Sequence, residues 1–244
     1  MKHVLKAGTD AASLLIFDPV ALPADFDERM RNGNDCLELL REVEKAGQAH
    51  GIYPGGDGVY LLHVFVGEPV APHLREYLSD PVEVARLPVP SGRLFFSGAE
   101  YAFHKDESQL RHFPHMEASC AIPPGSYRLT LHRTEYPDDL LDNRLRQAVP
   151  SLHFRLFHAM GSCVGAAVLA MFTMLATFFF LGWGPWLKIV VPVTGACVLA
   201  PIFLSRVPAY RQTQKRLEAL ELDYPSLIAE LQPIAGETAV PVQE

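Results

Sequence analysis

The sequence predicts an α+β protein: a β-rich soluble head over residues 1–150, an antiparallel sheet or sandwich with two helices, then a two-helix transmembrane hairpin and a short helical C-terminal tail. Three observations predict it. Short apolar runs punctuated by Gly and Pro fill the first 150 residues; two long uncharged stretches follow; and a helical periodicity resumes after Pro208.

In the head, Ser13 to Phe17, Val59 to Val66, Pro81 to Leu87, Arg93 to Phe96 and Ser126 to His132 read as strands. The last alternates Tyr127, Leu129 and Leu131 against Arg128, Thr130 and His132, and Pro123-Pro124-Gly125 turns the chain just before it. Asp35 is placed to cap a helix running to about Gln48, with Leu37, Leu39, Leu40, Val43 and Ala46 at helical spacing. Asp138 or Asp139 opens a second helix through Leu140, Leu141, Leu145 and Val149.

From Ala159 to Leu187 there are 29 residues without a charge, and after Lys188 another 17 from Ile189 to Ser205. A bilayer core about 30 Å thick needs roughly 20 apolar residues as helix, so two passes fit. The hairpin is placed at 157–204, with TM1 at about 157–181 and TM2 at about 185–204. Gly182-Trp183-Gly184-Pro185-Trp186 supplies the turn, its two indoles suit the headgroup level, and Lys188 can snorkel to the same interface. Gly161 and Gly165, with Ala166 and Ala170, give TM1 a small-residue stripe, and Ala196 with Ala200 gives one to TM2. Such stripes let helices approach closely, within one hairpin or between copies of the chain, so a homo-oligomer through TM1 is an open expectation.

Arg144, Arg146 and Arg155 precede TM1, and Arg206, Arg211, Lys215 and Arg216 follow TM2. By the positive-inside bias both termini are expected in the cytoplasm, on a multi-pass plasma or inner membrane protein. The basic start of the 205–244 tail can attract anionic lipid, the tail is expected to be amphipathic helix to about 231, and the rest is expected to be disordered.

Residues 1–150 carry 22 Asp and Glu against 15 Lys and Arg. An acidic head without a basic run disfavours nucleic acid, whose binding draws on Lys and Arg, and suits a protein or ligand partner instead. The aromatics Phe95, Phe96, Tyr101 and Phe103 are the partner-binding candidates if they face outward, and core residues if they do not.

Catalytic patterns are sparse. There is no GxSxG elbow, the glycines 55, 56 and 58 lack the Gly-Lys-Ser/Thr of a phosphate loop, and Cys120 has no second cysteine near it in sequence, Cys36 being the other in the head. His104, His112 and His115 have the right chemistry for a metal, but Pro114 prevents a regular helix from aligning the last two. No cofactor is expected. The sequence therefore points to a non-enzymatic recognition or regulatory head at the membrane. The alternatives are a membrane-anchored metal-dependent enzyme built on the His-rich loop, and an oligomeric permeabilising effector controlled by the head.

Overall fold

A computed structural model describes residues 1–32, 36–103, 112–181 and 184–234. The chain divides into two units: a head made of Met1–Tyr136 and Tyr224–Glu244, and a helical unit, Pro137–Asp223.

The head holds, in chain order, β1 (Lys2–Thr9), β2 (Leu14–Phe17), α1 (Phe26–Asn32), α2 (Cys36–Lys45), β3 (Ala49–Ile52), β4 (Gly58–Val66), α3 (Pro72–Arg75), β5 (Leu78–Val89), β6 (Arg93–Gly98), β7 (Glu117–Ala121), β8 (Gly125–Thr134) and, from the far end of the chain, β9 (Leu227–Pro233). One sheet runs β1-β4-β9-β8-β5 and the other β3-β2-β6-β7. Every pairing is antiparallel except β4 with β9, so the first sheet is mixed where an antiparallel one was expected.

Period-two alternation builds the core. Leu5, Leu62, Val64, Leu129, Leu131, Ala229 and Leu231 from the first sheet meet Leu14, Ile16, Leu94 and Phe96 from the second in a single buried cluster. The opposite face of β2, Leu15 and Phe17, is covered by Phe26 of α1 and by Leu39, Leu40 and Val43 of α2. That spacing of 39, 40 and 43 is one stripe of a helix. On the outer face of the first sheet, Phe65 and Ile228 are buried with Val70 and Leu74.

Polar ties fix the turns. Asp18, fully buried at the end of β2, accepts from Val20 N (3.0 Å), Ser91 N (2.7 Å) and Ser91 Oγ (2.8 Å), which pins the β5–β6 turn to β2. Gly92 in that turn has φ +73°, and a Cβ there would stand 2.9 Å from Ile122 O, so only glycine fits.

The boundaries at 150 and 205 are corrected. The chain leaves the head after β8 and returns as β9, which pairs antiparallel with β8 itself, Arg133 opposite Leu227. Leu227 to Leu231, expected as the end of an amphipathic tail helix, is a strand lying in the middle of the first sheet. The physical reason is burial on both faces: Leu227, Ala229 and Leu231 fill the sandwich while Ile228 packs on the outside, so the strand does not alternate cleanly and its apolar residues mimic helical spacing. The residues beyond 234, expected to be disordered, and Asp35, expected to cap α2, lie outside the described residues.

The helical unit comprises α4 (Leu140–Ala148), α5 (Ser151–Leu181), α6 (Leu187–Arg206) and α7 (Pro208–Glu221). Two stretches, Ser151–Phe180 and Lys188–Arg206, are long and apolar enough to cross a membrane by length and composition. From Cys163 onward the less exposed positions of α5 are Cys163, Ala167, Ala170, Met174 and Thr177, a seam of alternating fours and threes. Thr194 is its most buried partner on α6, and Thr194 Oγ1 donates to Ala170 O at 3.4 Å. Gly161 and Gly165 lie off this seam: a Cβ on either would meet nothing within 4 Å. Ala166 and Ala196 are exposed, while Ala170 and Ala200 are half-buried.

In a chain with its four native cysteines replaced by serine, cysteines at 170 and 194 are therefore expected to form an intramolecular disulfide on mild oxidation. A pair at 165 and 194 is expected not to. Equal crosslinking of both pairs would contradict this seam.

Candidate functional site

The residues proposed for partner binding are largely interior. Phe96 is fully buried between the sheets, Tyr101 and Phe103 are 8% and 9% exposed, and Phe95 is half-buried against the α1–α2 layer. Of the two alternatives, outward anchors or core, their burial is that of core residues: β6 is an inner strand of its sheet, and both its faces are covered. Tyr101 has a structural task, its hydroxyl donating to Asp10 Oδ2 at 3.1 Å. The same β1–β2 turn is clasped by Glu100, which accepts from Thr9 Oγ1 at 3.0 Å and from Asp10 N at 2.5 Å. Phe103 keeps some access, since it lines a cleft of about 450 Å³ together with Ser13, Met30, Leu40 and Glu100.

His112 and His115 are exposed, and His104 lies outside the described residues. Among the described residues no three His, Cys, Asp or Glu side chains converge as a metal site. Burial pushes the Cys120 thiol up to about 11, the opposite of what a nucleophilic thiolate needs. Of the interface residues named from the sequence, Trp183 is outside the described residues, Lys188, Arg206 and Arg211 are exposed, and Trp186 is half-buried.

A more site-like feature lies where the outer strands of the two sheets, β3 and β5, face each other. There a cleft of about 500 Å³ is lined by Glu44, His50, Tyr53, Asp80, Val82 and Arg133, with Ile52 and Leu131 as its apolar floor. Each polar group arrives for a local reason. Glu44, at the end of α2, accepts from Gly51 N at 2.6 Å and from Tyr53 OH at 3.1 Å. It thereby covers a backbone donor on an edge strand that would otherwise be open to pairing. A Cβ at Gly51 would stand where Glu44 Oε1 lies, so a larger residue there would displace that carboxylate. Arg133, at the end of β8, donates to Tyr53 O at 2.6 Å. Asp80 sits at the register break between Ser79 and Val82 with φ +47°, a left-handed conformation that Asp tolerates better than most residues.

Electrostatically the cleft carries two carboxylates against one guanidinium. Burial holds His50 below its ordinary 6.5, with Glu44 pulling weakly the other way, so the ring is neutral at pH 7. Burial and then Glu44 push the Tyr53 phenol up, keeping it a protonated donor. The arrangement suits a small cationic group, such as a Lys or Arg side chain, over an apolar floor. The one hydroxyl lining it is Tyr53 OH, held against Glu44 and kept protonated by burial. The sequence did not reveal it, because its members come from α2, β3, β5 and β8; the only local signal is Glu44, His50 and Tyr53 within ten residues.

No family model matches the chain, and no curated protein matches it. Two solved structures are similar in part. One is described as crocagin biosynthetic gene J (17% identity, 55% of this chain and 75% of that chain, TM-score 0.36). The other is ComJ from Bacillus subtilis, described as an inhibitor of the DNA degrading activity of NucA (15% identity, 55% and 81%, TM-score 0.29). At these identities and scores neither likeness assigns a function to this chain.

The lowered His50 pKa has a sign. The unfolded chain takes the proton first, so the stability present above about 6.5 is lost as pH falls from 6.5 through the folded value. His50 is expected to titrate below 6.5 by NMR, and His50→Gln to flatten part of the fall in thermal midpoint between about pH 7 and 5. Titration of His50 at or above 6.5 would contradict the burial described.

Proposed function

We propose that this chain is an integral membrane protein presenting a cytosolic recognition head, which binds a protein or ligand at the bilayer without catalysing a reaction. The observation that carries the reading is the insertion of two exposed apolar helices between two neighbouring strands of a polar head. Leu169, Phe172, Phe179, Phe180, Ile189 and Phe203 are 63% to 88% exposed. Each such side chain gains roughly 1.5–3 kcal/mol on leaving water, so the surface demands an apolar environment. Lipid is the environment that matches helices of this length.

Connectivity supports the hairpin independently of charge. Since both ends of the insertion join adjacent strands of one folded head, the chain must cross a bilayer an even number of times. The basic residues Arg144, Arg146, Arg155, Arg206 and Arg211 flank the two long helices at their head-proximal ends in sequence, which favours a cytosolic head. Recognition rather than catalysis is supported by the cleft between β3 and β5, whose excess of carboxylates fits a basic side chain of a partner. An oligomer through TM1 is a second reading, favoured by the open space at Gly161 and Gly165.

Two measurements on the same membranes test this. Alkaline carbonate washing is expected to leave the full chain in the pellet, and protease added to sealed inside-out vesicles is expected to degrade the head. Release into the wash, or a head protected in inside-out vesicles, would overturn the anchor or its orientation respectively.

A further inference from the structure

We infer that the corner between α6 and α7 binds the phosphate of an anionic phospholipid, through Arg206, Arg211 and Lys215; this rests on the membrane reading above. The depth of the corner follows from helix register. Thr194 Oγ1 meets Ala170 O across the antiparallel pair. Equal rise along both helices then sets Ser205 level with Ala159, where the uncharged run of α5 begins. Phe157 stacking on Tyr210, with ring centroids 5.4 Å apart and planes at 24°, marks the same level. Aromatic rings and basic side chains at the end of an apolar span are the composition of a headgroup interface.

The basic groups are arranged there. Arg211 Nε donates to Ser205 O at 3.2 Å, which holds its guanidinium against the last turn of α6, the turn that carries Arg206. Lys215 follows Arg211 by four residues and so shares its face of α7. All three are exposed, and among the described residues none has a carboxylate partner. The nearest acid in α7, Glu218, accepts from Gln214 Nε2 at 3.2 Å. No Asp or Glu occurs from residue 143 to 217. The helical unit accordingly holds eight basic and six acidic residues, whereas the head holds 13 and 22. Two guanidinium forks and an ammonium without counter-ions, at headgroup depth, match phosphate oxygens in charge and geometry. Topology alone would be satisfied by the same charges anywhere in the flanks; the Arg211–Ser205 bond holds Arg211 beside the turn of α6 that carries Arg206.

The test uses the full chain reconstituted in vesicles of phosphatidylcholine with a minor fraction of phosphatidylglycerol, released and weighed with its retained lipids by native mass spectrometry. Phosphatidylglycerol is expected to be retained in preference to phosphatidylcholine. That preference is expected to fall about fivefold for each of Arg206→Gln, Arg211→Gln and Lys215→Gln at low salt, and to survive Arg41→Gln on α2. Equal retention of both lipids, an undiminished preference in the triple variant, or displacement by millimolar inorganic phosphate would overturn the lipid site while leaving the anchor intact. A chain that does not enter vesicles overturns both.

Discussion

The fold depends on one strand. β9 lies in the centre of the five-stranded sheet, parallel to β4 and antiparallel to β8, and Leu227, Ala229 and Leu231 complete the cluster between the sheets. Without it the first sheet would separate into a β1–β4 pair and a β8–β5 pair, each with an uncovered edge and half a core. The head therefore closes only after residues 137–223 have been synthesised and passed, so the helical unit is an insertion within a domain rather than an appendage after it. Both ends of that insertion are held together: Thr134 Oγ1 and Tyr136 OH each donate to Pro225 O, and Tyr136 packs on Tyr77 and Tyr224 with centroids 5.0 and 5.4 Å apart. Burial pushes the Tyr136 phenol up to about 12, so this knot stays neutral across the physiological range.

From that closure the division of labour follows. The head is acidic and built of strands, with Glu44 covering a backbone donor of the edge strand β3; the insertion is apolar along its two long helices and basic around them. A polar domain and an apolar one are joined through adjacent strands, and the cleft at β3 and β5 belongs to the polar domain. Its lining carries Glu44 and Asp80 against Arg133, in keeping with the acidic balance of the head.

Much of this was legible in the sequence, and the gaps have physical causes. The strands β2, β4, β5, β6 and β8 and the helices α2 and α4 were legible through alternation, helical spacing and Gly/Pro turns, and the two long helices through an uncharged run. β1 and β7 carry polar or small residues such as Lys2, Lys6, Ser119 and Ala121 and offer no clean apolar period. β9 misled because a strand buried on both faces lacks alternation, and because its partners β8 and β4 are about 100 and 165 residues earlier in the chain. The aromatics from Phe95 to Phe103 illustrate a different limit: composition marks a residue as an anchor or a core element, and only topology says which. The cleft was invisible since four elements contribute to it, none with a motif.

The most direct test of the central claim is to replace residues 137–223 with a linker of about five residues, a length that neighbouring antiparallel strands need. A soluble, monomeric protein that unfolds in a single cooperative transition is the predicted result, because β8 and β9 would then form an ordinary hairpin. An insoluble or unfolded product, with matching chains carrying longer linkers no better, would contradict the account of a head closed by its own C-terminal strand.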